Sequence, residues 1–247
     1  MTKFSVAFEM ASKEAKARLN SLRGKGASHW LRSLPGKSRQ QFADREILTG
    51  IRFRCGLAVS PAGRRCICGQ AVDTSGHHFF VCSKVREGFN RRHDSLTDMT
   101  RTLCHSAGIG TLKEVPVPGG RLDIEFLNLS AEITFGDISV THPPAKSYLD
   151  GAAMTPGYAA SEREKRKMGK YRTKITRGSR IIPLVMETYG TFGKKFLLFL
   201  QEVYKVFMKS NLRDHINGFK KKSIMALSCT LQKGNIWLIH QGLLLAC

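Results

Sequence analysis

Two alternating stretches joined by a short polar turn constrain this chain more than any other feature. Arg121-Leu122-Asp123-Ile124-Glu125-Phe126 precedes Asn128-Leu129-Ser130, and Ile133-Thr134-Phe135-Gly136-Asp137-Ile138-Ser139-Val140 follows it. Branched and aromatic residues dominate both arms, so they read as a β-hairpin. A regular hairpin pairs residues i and j at constant i + j. A turn centred on Ser130 therefore sets Asp123 opposite Asp137. Directly opposed residues have Cβ atoms roughly 4.5–5.5 Å apart, where like charges are destabilising. Two carboxylates there, beside apolar Ile124, Phe126, Ile138 and Val140, require a compensating cation. Mg²⁺ meets that need, because hard cations take carboxylate oxygens. Carboxylate-held metal serves phosphodiester hydrolysis by polarising the phosphate and activating water. The competing expectation is that both Asp sit at strand ends, solvated or capping. A bulge or a one-residue slip would break the pairing.

The flanking sequence predicts the frame for this hairpin. Phe89, Leu96, Met99 and Leu103 recur at helical spacing over Arg86–Ala107, and Gly108 stops the run. Lys113–Val117, Arg121–Leu127 and Ala131–Thr141 read as strands, and Pro143-Pro144 ends the last one. A basic helix is expected near Ala159–Ile175, a strand over Arg180–Thr188 and an apolar helix over Thr191–Ser210. The end of the chain is expected to be helical from about Phe219. This order predicts an α/β fold, a small mixed sheet flanked by helices. Residues 1–50 read as basic helices broken at Gly24–Gly26 and at Leu34-Pro35-Gly36. Four segments are expected: 1–54 basic and helical, 55–85 a zinc knuckle, 86–210 the α/β core and 211–247 a helical tail.

Cysteine usage points to a metal. There are seven cysteines, an odd count. No signal peptide is legible at the start of the chain, so a reducing compartment is expected rather than a disulfide framework. Cys66-x-Cys68, His77-His78 and Cys82 offer three thiolates and one imidazole. That is the ligand set of a closed tetrahedral Zn²⁺ site. Spacing alone leaves the fourth ligand open between His77 and His78. Free thiols beside surface histidines are the plainer alternative.

Charge points to the partner. Forty Lys and Arg stand against nineteen Asp and Glu, a formal balance of +21. Such a surplus suits a polyanion, nucleic acid above all, and no apolar stretch approaches a membrane span. Nine of the basic residues fall within Ser161–Arg180. Lys167, Lys170 and Lys174 share one helical face. Arg163 and Arg166 lie just upstream, with planar forks suited to phosphate. A solvated helix face is the plainer reading, although the run is mostly of one sign. Arg92, Arg121, Arg163, Arg166, Lys174 and Arg177 are the candidate nucleic-acid contacts.

The order of these features resembles a known family. Cys-x-Cys…His-His…Cys precedes Arg92-His93-Asp94, Gly120-Arg121-Leu122-Asp123, Asp137-Ile138-Ser139-Val140 and Lys167-x-x-Lys170-Tyr171. This is similar to the C-terminal region of early-branching non-LTR retrotransposons. There a zinc knuckle precedes a restriction-like endonuclease of the PD-(D/E)XK superfamily. The similarity runs from about Trp30 to about Gly190, and takes in Trp30-Leu31, Pro35 and Pro183-Leu184-Val185-Met186-Glu187-Thr188-Tyr189-Gly190. It implies a restriction-endonuclease-like fold and metal-dependent nicking of target DNA that primes reverse transcription. Asp123 and Asp137 look like the metal-binding acids, with Mg²⁺ as the catalytic ion and Zn²⁺ as the structural one. Lys167 and Lys170 look like active-site lysines displaced onto a helix, since Ser139 stands where most such nucleases keep a lysine. The family's knuckle favours His77, which leaves four residues before Cys82. DNA, the element's RNA and a nuclear location are further implications. The family's Arg-Pro-Asp appears here as Arg121-Leu122-Asp123. Met1–Gly50 leaves no room for the expected upstream reverse transcriptase. A fragment, a truncated copy or a domesticated remnant is therefore expected, and a catalytically inactive nucleic-acid-binding remnant is the alternative.

Overall fold

A computed structural model of the chain describes residues 8–32, 41–118, 120–172, 178–209 and 218–247. Its centre is a four-stranded sheet in the order β1 (Gly110–Val117), β2 (Gly120–Leu127), β3 (Ile133–Thr141), β4 (Ser179–Glu187). The first three strands are antiparallel neighbours, and β4 runs parallel to β3. A parallel neighbour needs a crossover. Helices α4 (Leu149–Met154) and α5 (Tyr158–Tyr171) supply it. Further α-helices among the described residues are α1 (Lys13–Leu22), α2 (Asp44–Cys55), α3 (Arg86–Ser106), α6 (Lys194–Lys209) and α7 (Phe219–Leu244). The fold is thus mixed α/β with helices flanking a mixed sheet, as the element order predicts. The break at 34–36 and the end of the basic run at 173–177 lie outside the described residues.

Hydrophobic patterning explains the layers. In β2, Leu122, Ile124 and Phe126 are buried while the residues between them are partly open. Strand β4 is buried almost throughout, the signature of a strand covered on both faces. Helix α6 turns Phe196, Phe199, Leu200, Val203 and Phe207 into the main core beside Ile124, Phe126, Ile138 and Leu184. Helix α7 buries residues all round its axis, including Leu227, Leu231, Leu238 and Ile239.

The terminal segments close around the knuckle. Phe53, Cys66, Phe79, Phe80, Tyr189, Leu238 and Ala246 belong to one buried cluster. All four expected segments contribute to it, so the knuckle and the C-terminal helix share a core with the α/β unit. Residues 65 and 247 exchange two backbone hydrogen bonds, each 2.9 Å. Gly242 is needed here, because a Cβ on it would collide with the Phe79 ring.

Two buried glutamates set the helix that carries the basic residues. Glu187, at the end of β4, accepts the Ala160 N–H in the first turn of α5 at 3.0 Å. Glu164, on α5, accepts the Lys195 N–H in the first turn of α6 at 2.9 Å. Carboxylates are favourable at helix N-termini. Burial pushes both carboxyls above the ordinary glutamate range, and the backbone N–H donors oppose that shift.

Candidate active site and metal centre

The hairpin has the register that the sequence predicts. Ile124 pairs with Gly136, Glu125 with Phe135 and Phe126 with Thr134. Continuing that register sets Asp123 against Asp137, one step beyond the last paired residues. There the Asp123 side chain replaces the ladder: its Oδ2 accepts the Ile138 N–H at 2.6 Å. On the other side, Asp123 lies opposite Glu114 of β1, between the pairs Lys113–Ile124 and Val115–Leu122. Glu114 has φ of 59°, a left-handed conformation uncommon in a non-glycine residue.

His93 completes the surroundings of Asp123. Its Nε2 is 3.1 Å from Asp123 Oδ2, and its Nδ1 is 3.4 Å from Asp94 Oδ1. The hydrogen bond to Asp123 raises the imidazole pKa, against burial. In the sequence His93 stands within Arg92-His93-Asp94, a setting that by itself assigns it no role. Helix α3 begins at Arg86, and its second turn carries His93 to the hairpin.

Asp137 is only 3% exposed, and both of its oxygens are engaged. Lys167 Nζ forms an ion pair with Oδ2, and Tyr171 OH donates to Oδ1 at 3.0 Å. Lys170 does not reach the acid; its ammonium is 3.1 Å from Tyr171 OH. The two candidate lysines therefore hold different places, one on the carboxylate and one behind the phenol. Burial and the Asp137 charge lift the Tyr171 phenol well above its ordinary range. Arg163 Nε approaches Ser139 Oγ at 3.4 Å. Helical spacing explains the set: Arg163, Lys167 and Tyr171 recur every four residues on one face of α5.

These residues surround a cleft of about 350 Å³, lined by Arg92, His93, Asp123, Asp137, Arg163 and Lys167 among others. Phe80 forms part of its wall. A second open groove shares His93 and Asp123 and continues past Lys113, Glu114 and Arg121. The other candidate contacts are dispersed. Arg121 is exposed and pairs with Glu114 at 3.0 Å. Arg166 packs over the Tyr148 ring, 5.1 Å from its centroid. Arg92 is buried rather than displayed, with Nη1 2.7 Å from Asn235 Oδ1. Lys174 and Arg177 lie outside the described residues, as does Pro35.

The knuckle forms a cluster able to hold a zinc ion. One ligand atom each from Cys66, Cys68, His78 and Cys82 lies within 4.8 Å of the others. Cys66 Sγ and Cys82 Sγ are 3.8 Å apart, and Cys68 Sγ and His78 Nε2 are 3.5 Å apart. A tetrahedral ion with Zn–S near 2.3 Å and Zn–N near 2.0–2.1 Å has ligand edges of about 3.8 and 3.5 Å, so the donors fit. Burial pushes the Cys82 thiol up to about 11, a cost that metal coordination removes.

The expectation that His77 is the ligand is corrected. Residues His77–Phe80 form a 3-10 turn, which sends the adjacent histidines in different directions. The Asp73 carboxylate fixes that turn by accepting the N–H groups of His77 and His78 at 2.9 and 2.8 Å. His78 faces the sulfurs. His77 instead meets His142, Nδ1 to Nε2, at 3.1 Å. Among the described residues the zinc cluster is the only group of three or more such donors this close together. The Asp123–Asp137 pair with His93 does not form one. No protein-family model matches the chain, and no curated protein matches it in sequence.

Proposed function

We propose that this chain is a metal-dependent DNA endonuclease domain of the PD-(D/E)XK type, derived from a non-LTR retrotransposon. The observation that carries the reading is the convergence of Asp123, Asp137 and Lys167 on one cleft. Two carboxylates in register on one face are hard donors suited to Mg²⁺. The ion, when bound, would polarise the phosphodiester and lower the pKa of an attacking water. Asp123 would offer the oxygen that Ile138 and His93 leave unused. The Lys167 ammonium, beside Asp137, would stabilise charge developing on the phosphate. Arg163 would hold the DNA backbone at the cleft rim. The +21 surplus supplies the wider attraction for DNA.

One observation favours a second reading, the inactive nucleic-acid-binding remnant. Asp137 is buried, with Lys167 and Tyr171 on its two oxygens, an arrangement stable without a divalent ion. Supercoiled plasmid with Mg²⁺ separates the two. The endonuclease reading expects nicking by the wild type and none by Asp137→Ala. Salt-sensitive DNA binding by both proteins, with equal or absent nicking, supports the remnant.

A further inference from the structure

Helix α2 carries apolar residues on two faces. The inner face is engaged in the fold. Phe53 stacks on Phe80 and Tyr189, and Thr49 Oγ1 is 3.1 Å from His240 Nε2. Gly50 lies so close to the Trp30 ring that a Cβ there would press on it. The outer face is a stripe. Ile47, Ile51 and Cys55 recur every four residues with Leu48 beside them, and helical spacing sets all four on one side. Leu48 is 56% exposed, Ile51 40% and Ile47 39%, and Cys55 is exposed as well. A helix that is apolar on opposite faces is ordinarily covered on both.

Charge selects what covers the stripe. Acids stand at the start of α2, Asp44 and Glu46, and bases at its end, Arg52 and Arg54. Two of these four are held within the chain. The Glu46 carboxylate accepts the Ala43 N–H at 2.8 Å, and Arg54 donates to Ala27 O at 2.7 Å and Ser28 Oγ at 2.9 Å. Burial, and then the Arg45 charge, lower the His240 imidazole pKa, which places Arg45 on the α7 side of the helix. Asp44 and Arg52 are exposed at opposite ends of the stripe. Arg52 Nε donates to Ala58 O at 2.9 Å, which fixes its stem. A polyanion gains nothing from a stripe that opens on an acid. A second copy turned antiparallel does gain, because the acidic end of each stripe meets the basic end of the other and the helix dipoles oppose. Each chain carries +21 overall, so two copies repel except where the local charges balance, as Asp44 and Arg52 do.

We propose that the outer face of α2 is a self-association surface. A second copy of this chain packs its own α2 against it, antiparallel about a twofold axis. Leu48 and Ile51 form the centre, and Asp44 of each copy meets Arg52 of the other. One short helix on another buries less than a permanent dimer does, so the association is weak and concentration-dependent. The surface is independent of the endonuclease reading.

The test is sedimentation velocity on the full chain with zinc, freed of nucleic acid, from low to high micromolar concentration. Wild type should pass from monomer to dimer. Leu48→Glu alters a side chain more than half exposed, so the dilute protein should keep the wild-type melting temperature. It should stay monomeric at every concentration. Added salt should strengthen wild-type association, because screening removes the repulsion between basic chains and leaves the apolar contact. Association that weakens in salt identifies residual nucleic acid as the bridge and overturns the proposal. Charge reversal reads the antiparallel pairing. Asp44→Arg and Arg52→Glu should each weaken the dimer about tenfold. An equimolar mixture of the two should regain it as a heterodimer, since every acid then faces a base again. A wild type that stays monomeric gives the stripe to a different protein and overturns the proposal. So does a Leu48→Glu protein that dimerises as wild type does, or a mixture no tighter than its components.

Discussion

The Asp123 carboxylate accepts the backbone N–H of Ile138 at 2.6 Å, where a ladder bond between β2 and β3 would otherwise fall. One side chain thus serves both the sheet and the proposed metal, and the two roles separate on substitution. Asp123→Asn retains an oxygen for Ile138 and loses the charge. Asp123→Ala leaves a buried donor without a partner, since Ile138 is 2% exposed. The alanine variant should lose about 1–3 kcal/mol in urea unfolding, and the asparagine variant about 1 kcal/mol or less. Both should lose nicking by about a hundredfold or more, the kinetic equivalent of ~3 kcal/mol. Equal stability losses would show that the Ile138 bond contributes nothing.

Lys167 and Lys170 should differ in kind. Lys167 pairs with buried Asp137, whereas Lys170 reaches only the Tyr171 hydroxyl. Removing one member of a buried pair typically costs about 3–5 kcal/mol, while removing both costs far less. Lys167→Met should therefore be strongly destabilised, and Lys167→Met with Asp137→Asn should recover most of the loss. Lys170→Met should stay within about 1 kcal/mol of wild type and keep measurable nicking. A double-mutant cycle with a coupling energy near zero would remove Lys167 from the role given it here.

Zinc should depend on His78 and not on His77. His78 lies 3.5 Å from Cys68 Sγ, while His77 packs against His142. Metal content after dialysis should be near one zinc per chain for wild type and His77→Ala, and greatly reduced for His78→Ala. Phe80 belongs to the same turn, stacks on Phe53 and His142 at 4.8 Å each, and walls the cleft. Chelation should therefore lower both the melting temperature and the affinity for DNA. A His77→Ala protein without zinc would reverse the ligand assignment.

The contrast between these sites explains what the sequence could and could not convey. The hairpin register was legible because a period of two and a fixed turn leave one arithmetic solution for Asp123 and Asp137. The strands at 113–117, 121–127 and 180–188 were legible through branched residues and Gly/Pro boundaries. His77 against His78 was not, because a one-residue choice depends on the 3-10 turn that Asp73 fixes. Arg92 reads as a candidate nucleic-acid contact in the sequence, and charge alone says nothing of its burial. Only the packing of α7 over α3, with Gly234 beneath the stem, encloses it. His93 reaches the cleft, and Tyr171 reaches Asp137, through the placement of α3 and α5, which no local pattern encodes.

Acid should weaken this fold through His142. The ring is buried, with Nδ1 2.9 Å from Thr188 Oγ1 and Nε2 3.1 Å from His77 Nδ1. Burial, and then the neighbouring His77 and Arg92, hold its pKa well below the ordinary 6.5. The unfolded imidazole takes up a proton near pH 6.5, and the folded one does so only at much lower pH. The stability carried by the neutral ring is therefore full above about pH 6.5 and is lost as the pH falls. Each such proton contributes a slope approaching about 1.4 kcal/mol per pH unit. Burial lowers His77 as well, so it adds in the same direction. His93 is raised, so its contribution runs oppositely, present at low pH and lost as the pH rises. Urea midpoints measured from pH 7.5 to 5 should fall for wild type and fall less steeply for His142→Gln. Zinc release in acid acts on both proteins alike, so the difference in slope isolates the ring. Identical slopes would mean that His142 takes its proton equally in both states, and would remove it as the acid-sensitive group.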